Sequence, residues 1–424
     1  MKKYGSYSLI KSLLFERIGG SKEELKAAKI IQEELKKDGI ESHLEEFEVD
    51  SFEIMEAKLE VLEPKYKEYT VTGIGRSGST PDEGIEAELV YVENGHDVNL
   101  ENVEGKIVLV NAFYPLKLYK KLVEKKVVGI IALNGSVYDD PKKTDLHILA
   151  YRDKMVEAGR IPGVTLRIKD AHELVKSKAS KVKLTLKQEE MKKTSHNVVA
   201  EIKGTEYPER IVAFSAHYDS VRFSEGAYDN ATGSATILEI ARHFKKNPPK
   251  RTLKFVWCGS EEMGLLGSKA YVEKHQEELA KYELNINLDM TAVVLGYDIA
   301  RCTTEMGLVN YINYLGKEVG FAIDASQGVY SSDSTPFADK GVPALSFARI
   351  APRGGAEIHS RKDDDKFLDK DNYYETCKFI IGFSEKMVNS HVMPVERSIP
   401  ENMRLELDYY LGIKERPDGP RRGF

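Results

Sequence analysis

"RIVAFSAHYDSVRFSEGAYDNATGSATILEIARHFKKNPPKRTLKFVWCGSEEMGLLGS", residues 210–268, carries the pattern that decides the fold. An apolar run ending at Ala216 is followed by the amphipathic stretch "ATGSATILEIARHFKK" (231–246), and then by a second apolar run, "TLKFVWC" (252–258). Apolar strands that alternate with amphipathic helices imply a mostly parallel sheet with helices on its faces. The rhythm continues outward through "GSKAYVEKHQEELAKY", "LNINLDM", "LVNYINYLGKEVG" and "ALSFA" to a helix around "YYETCKFIIGFSEKMV". The expected fold class is therefore α/β, a mostly parallel mixed sheet flanked by helices.

Towards the N-terminus, "SKEELKAAKIIQEELKKDGI" (21–40) predicts a helix. Ser21 and Glu24 stand at capping-box spacing, Leu25, Ala28, Ile31 and Leu35 form an apolar stripe, and Gly39 supplies a stop. "SHLEEFEVDSFEIMEAKLEVL" (42–62) alternates as a strand or two. Between 61 and 187 the character changes to short β-like runs, "AELVYV", "KIVLVNA", "VVGIIAL" and "KVKLTL", with helices at "LKLYKKLVEKK" and "IKDAHELVKSK". His96, His147 and His172 fall in this stretch with no other ligand types clustered beside them, and are read as structural or surface groups. The expected organisation is a discontinuous domain, 1–60 and 188–424, interrupted by a smaller α/β module, 61–187. The Pro- and Arg-rich tail after 394 is expected to be irregular.

Bulk properties narrow the function. With 424 residues and a formal net charge of −6, no broad basic field is available for a nucleic acid, and Lys-rich runs such as 117–126 read as solvated helix faces. Three cysteines, Cys258, Cys302 and Cys377, do not make a disulfide framework and suit a reducing compartment. Lys11, Glu16 and Arg17 interrupt the basic start, so no signal peptide is expected, and no stretch approaches the roughly 18–20 apolar residues of a membrane span. These points give a cytoplasmic protein with no membrane or nucleic-acid partner. An oligomer is compatible with the sequence.

Ligands bind open α/β sheets at the carboxyl ends of the strands, and each such end here carries an acid or a histidine. "RIVAFSA" runs into "HYDS" with His217 and Asp219, "TLKFVWC" into "GSEEMG" with Glu261 and Glu262, and "LNINLDM" into Asp289. The loop "GAYDNATGS" places Asp229 at the start of a helix, and the loop after "ALSFA" contains His359 in "EIHSRKDD". Taken singly each has a bland reading: Asp229 as a helix N-cap, Asp289 as a turn cap, His359 as a loop histidine. Together, at the ends of one sheet, they suit divalent cations of the kind used in two-metal hydrolysis. Of His217 and Asp219, two apart on a strand, one can bind metal while the other fixes the imidazole tautomer. Adjacent glutamates repel each other, which is tolerable if a metal neutralises one and the other works as a base with a raised pKa.

In this order, "HYDS", "GAYDNATG", "SEEMGLLGS", "NLDM" and the histidine of "IHSRKDD" resemble the co-catalytic di-zinc aminopeptidases and glutamate carboxypeptidase-like metallopeptidases of clan MH. The resemblance covers residues 1–60 and about 190–390. "VEGKIVLV" and "PGVTLRIKDAHELV" liken the inserted segment to a protease-associated domain. Such a family implies two Zn2+ ions, with other divalent metals possible: one held by Asp229, Glu262 and His359, the other by His217, Asp229 and Asp289. It implies Glu261 as the general base that takes a proton from zinc-activated water and passes it to the departing amine, and Asp219 as the partner of His217. It also implies peptide substrates with a free N-terminus. The chain departs from the family at Ser334, where many relatives carry histidine in "SDHxPF", and Tyr330 is one candidate among 22 tyrosines for an oxyanion-stabilising group. The competing readings are a carboxypeptidase-like or dipeptidase hydrolase in which Arg349, Arg353 or Arg361 grips an α-carboxylate, a catalytically inactive binding module, and a one-zinc enzyme that cyclises N-terminal glutamine.

Overall fold

A computed structural model describes residues 5–111 and 114–416. The first residues of the basic start and the last eight of the tail lie outside the described residues. The chain divides into two compact units, one of residues 1–49 with 194–424 and one of residues 50–193. It passes from one to the other within two strands of 22 residues each, Ser42–Glu63 and Lys181–Ile202.

In the larger unit the sheet order is Ile323–Gln327, Tyr297–Thr303, Ala344–Ile350, Tyr282–Leu288, Tyr207–His217, Arg251–Cys258 and the end of Lys181–Ile202. The four strands from Ala344–Ile350 to Arg251–Cys258 are mutually parallel, and antiparallel pairings flank them on both sides. The alternation of strand and helix read from the sequence therefore yields a mixed sheet with a parallel centre. Side chains of these strands alternate between two cores, as a two-residue period requires. Val212, Phe214 and Ala216 pack with the helices Thr232–Lys246, Lys370–Val388 and Lys22–Lys37, whereas Ile211, Ala213, Val256 and Cys258 pack with Leu266–Lys274 and Glu401–Tyr410. The register aligns the carboxyl ends: His217 lies opposite Cys258, and Leu288 opposite Phe347.

The smaller unit has a second parallel group of strands. The strands Ile85–Tyr91, Ile107–Val110, Gly129–Asn134 and Gly163–Arg167 run parallel, with Val71–Gly73 and the start of Lys181–Ile202 antiparallel at the two edges. Helices Leu116–Glu124 and Ile168–Lys176 contribute to the two cores beside it.

The expectation of an irregular tail is corrected. Residues Glu401–Tyr410 form a helix that starts after Pro400 and buries Met403 and Leu407, four apart on one face. Arg404 fastens it to Asp339 at 2.8 Å and pairs within the helix with Asp408 at 2.9 Å. Proline content masked a helix start, since proline is favourable at the mouth of a helix. No helix among the described residues is long and apolar enough to cross a membrane.

Candidate metal centre

The acids and histidines at the strand ends converge. His217 is the last residue of its strand, and its Nε2 lies 3.0 Å from Asp229 Oδ1 and 3.8 Å from Asp289 Oδ1. The other oxygen of Asp229, Oδ2, lies 3.2 Å from His359 Nε2, which is also 3.0 Å from Glu262 Oε2. Two groups result, His217–Asp229–Asp289 and Asp229–Glu262–His359, each with its ligand atoms within 4.8 Å of one another, and Asp229 offers one oxygen to each. Among the described residues these are the two groups with such spacing. Glu261 stands beside them, with Oε2 4.0 Å from His217 Nε2. Asp219 lies behind His217, its Oδ1 3.4 Å from Nδ1, and neither Nδ1 nor Asp289 Oδ1 finds a hydrogen bond.

Backbone donors hold the loops from behind. Asp219, fully buried, accepts the N–H of Glu261 at 3.0 Å and that of Glu262 at 3.2 Å, one on each oxygen. Asp363 does the same for Tyr228 at 2.7 Å and Asp229 at 3.2 Å. Arg17, also fully buried, donates to the carbonyls of Tyr218, Leu13, Phe15, Glu225 and Gly226, and so fixes the turn before Asp229, where Gly226 has φ 56°. A Cβ on Gly226 would come within 2.7 Å of the Arg17 guanidinium, so the turn has room for glycine alone. Asn230 closes the other side, accepting from Gly233 and Met290 and donating to Leu288. Arg17 and Asp363 were not singled out from the sequence. Asp363 is one of three successive aspartates, and Arg17 lies about 200 residues from the loop it supports, so neither leaves a local signal.

The electrostatics call for added positive charge. Burial pushes the Asp289 carboxyl upward, as do its acidic neighbours, and Asp363 rises to about 7 for the same reasons. Burial raises Glu261 as well, with Glu262 and Asp333 adding to it, although His217 pulls the other way. Burial disfavours the His359 imidazolium, but Asp229 and Glu262 outweigh it and lift the group to about 11. His217 is lifted likewise by Glu261, Asp219 and Asp229 against the effect of burial. Without a cation, then, the imidazoles themselves must carry the compensating charge. Oxygen-rich groups with one imidazole each, and an unpaired buried oxygen on Asp289, fit divalent cations of the zinc type.

Two expectations follow from this frame. Metal-free protein should lose stability as pH rises from about 4 towards 8. Asp363, raised to about 7, and Asp289, raised to about 8, both chiefly by burial, keep protons in the folded state that the unfolded chain releases near pH 4. The two histidines act in the same direction above about 6.5, while Asp229, held low by both imidazoles despite its burial, acts only below the window. Added zinc at about 100 times its Kd should restore roughly 2.7 kcal/mol, and thermal melts at pH 5 and 8 with and without zinc check both points. Asp219→Asn places an amide against one of two N–H groups and should lower metal affinity or turnover by about 10–100-fold, readable by chelator competition.

The comparisons agree with the fold. Solved structures described as "The structure of BSAP, a zinc aminopeptidase from Bacillus subtilis" and "Aminopeptidase from Aneurinibacillus sp. strain AM-1" superpose with TM-scores of 0.76 and 0.73 at 24% and 23% identity. The first match covers 94% of this chain and 98% of that one, the second 92% and 95%. Mouse carboxypeptidase Q is 30% identical over 68% of this chain, a match that takes in 64% of the relative's own length. Aminopeptidase YwaD of Bacillus subtilis is 30% identical over 365 residues, 81% of this chain and 74% of that protein. Residues 197–383, from the end of the strand Lys181–Ile202 into the helix Lys370–Val388, match peptidase family M28, and with likeness of that extent the chain belongs to that family.

Proposed function

We propose that the protein is a zinc-dependent exopeptidase that releases N-terminal amino acids from peptides. The observation that carries this reading is the pair of ligand groups sharing Asp229, with Glu261 4.0 Å from His217 yet belonging to neither. One zinc ion would sit at His217, Asp229 and Asp289 and the other at Asp229, Glu262 and His359. Zinc so held supplies Lewis acidity and lowers the pKa of water towards ~7. Glu261 accepts the proton of the attacking water at its carboxylate and delivers it to the nitrogen of the departing amine as the C–N bond breaks. Asp219 keeps the His217 ring and the two glutamates in place, and the acidic surroundings favour a protonated substrate amine over a carboxylate. The relatives named aminopeptidases support the same direction.

A carboxypeptidase reading has the name of the carboxypeptidase Q relatives in its favour. Of the three arginines considered for it, Arg349 is occupied. Arg349 donates from Nε to Val293 at 2.9 Å, from Nη1 to Asp298 at 2.6 Å and from Nη2 to Val294 at 3.4 Å. Peptides with free or acetylated N-termini, and with free or amidated C-termini, separate the two. Loss of residues from free N-termini alone supports the proposal, and cleavage that needs a free C-terminus overturns it.

Residues 61–187, within the smaller unit, are proposed to be a protease-associated domain inserted in the peptidase domain. The cytoplasmic location expected from the sequence is retained within the proposal.

A further inference from the structure

Glu24 has a place in the site that its sequence context disguises. Ser21 caps the helix as expected, its hydroxyl accepting the Glu24 N–H at 3.0 Å, but the Glu24 carboxylate does not close the capping box. Its Oε2 takes the Gly20 N–H at 2.7 Å. Its Oε1 takes the Ser260 N–H at 2.8 Å, the Ser260 hydroxyl at 3.1 Å and the Ser195 hydroxyl at 2.9 Å. All four partners are donors, which suits a carboxylate, and the side chain is fully buried.

Ser260 immediately precedes the glutamate pair and has φ 52°, a left-handed conformation that a residue with a side chain adopts only when its surroundings impose it. Three successive N–H groups therefore end on carboxylates: Ser260 on Glu24, and Glu261 and Glu262 on the two oxygens of Asp219. Successive amides that converge in this way form an anion-binding concavity, here filled by the protein's own acids. The seat is closely built: a Cβ on Gly259 would meet Glu24 Oε1 at 2.8 Å, and one on Gly19 would meet the Ser260 hydroxyl oxygen at 2.4 Å.

We propose that Glu24 is a positioning residue for the general base, holding the turn at Ser260 so that Glu261 faces the substrate while Glu262 reaches His359. The inference rests on the reading of Glu261 as the base.

The test uses the full-length, zinc-loaded protein and the variants Glu24→Ala and Glu24→Gln. Steady-state kinetics are read beside amide hydrogen exchange of peptides spanning Cys258–Leu265. Glu24→Ala should lower kcat by roughly 10–100-fold with KM little changed, because a misplacement of about 1 Å is enough for a loss of that order. Exchange at residues 260–262 should accelerate while the strands Tyr207–His217 and Tyr282–Leu288 stay protected. Glu24→Gln keeps an oxygen towards Ser260 and Ser195 and should recover most of kcat. Should Glu24→Ala fail to fold, Glu24→Asp, too short to span Gly20 and Ser260 together, carries the same expectation. Wild-type exchange and kcat in the variants would overturn the proposal, as would a loss that Gln does not rescue and that loosens the whole sheet. Exchange is read without substrate, so a wild-type protein without peptidase activity would reject the functional reading separately.

Discussion

Glu261→Gln should lower kcat by about 10²–10⁴-fold while zinc content and melting temperature stay near those of the parent protein. The separation is expected because Glu261 belongs to neither ligand group: the two groups are complete with His217, Asp229, Asp289, Glu262 and His359. Its backbone is fixed independently of its side chain, through its N–H on Asp219, so an isosteric amide leaves the turn intact. What the amide removes is a carboxylate whose proton affinity burial raises, with Glu262 and Asp333 reinforcing the effect. A group so placed takes up a proton more readily than an exposed glutamate, which is the property a base needs when it must hold that proton and then give it to an amine. Turnover of a free-amine peptide, measured beside elemental analysis for zinc, checks the point. Parent-like kcat with zinc in place would remove Glu261 from the mechanism. Loss of zinc together with activity would make it a ligand instead.

What the sequence made legible, and what it hid, follows from how far apart the interacting groups lie along the chain. Period and punctuation are local, so the helices at Lys22–Lys37, Thr232–Lys246, Met306–Val319 and Lys370–Val388 could be read directly. Because a parallel sheet gathers its carboxyl ends on one edge, His217, Glu261, Glu262 and Asp289 could be foreseen as neighbours from strand positions alone. The strand Tyr297–Thr303 escaped notice, since "YDIARCT" mixes charged and apolar residues without the continuous apolar run that marked its neighbours. Residues that act through backbone groups were the least legible. Arg17 satisfies carbonyls at 218, 225 and 226, Asp363 holds amides at 228 and 229, and Glu24 leaves its own helix for residues 195 and 260. A carbonyl or an amide carries no residue-specific signature, so such contacts appear only when the chain is folded.

Asp229 gives the sharpest test of the two-metal reading, because its substitutions should be graded. One carboxylate oxygen faces His217 at 3.0 Å and the other faces His359 at 3.2 Å, so each ligand group draws on a different atom of the same side chain. Asp229→Asn keeps one oxygen and replaces the other with an amide nitrogen that has no lone pair for a cation; zinc content should fall from about two per chain towards one. Asp229→Ala removes both, and zinc should be largely lost. Turnover should drop at least about a thousandfold in either variant, equivalent to about 4 kcal/mol of transition-state stabilisation. The fold should survive, because Asp363 holds this loop by the N–H groups of Tyr228 and Asp229 rather than by the carboxylate, and because Asn230 independently ties the helix start to Leu288 and Met290. Removing one buried acid lessens the repulsion felt by Asp289, Glu262 and Asp363, but it also takes away the charge that pairs with both imidazoles and holds Asp229 itself ionised, so metal-free Asp229→Asn should melt below the metal-free parent at pH 8. A variant that retained two zinc ions and near-parental turnover would mean that Asp229 bridges nothing, and the two ligand groups would then have to be treated as separate sites.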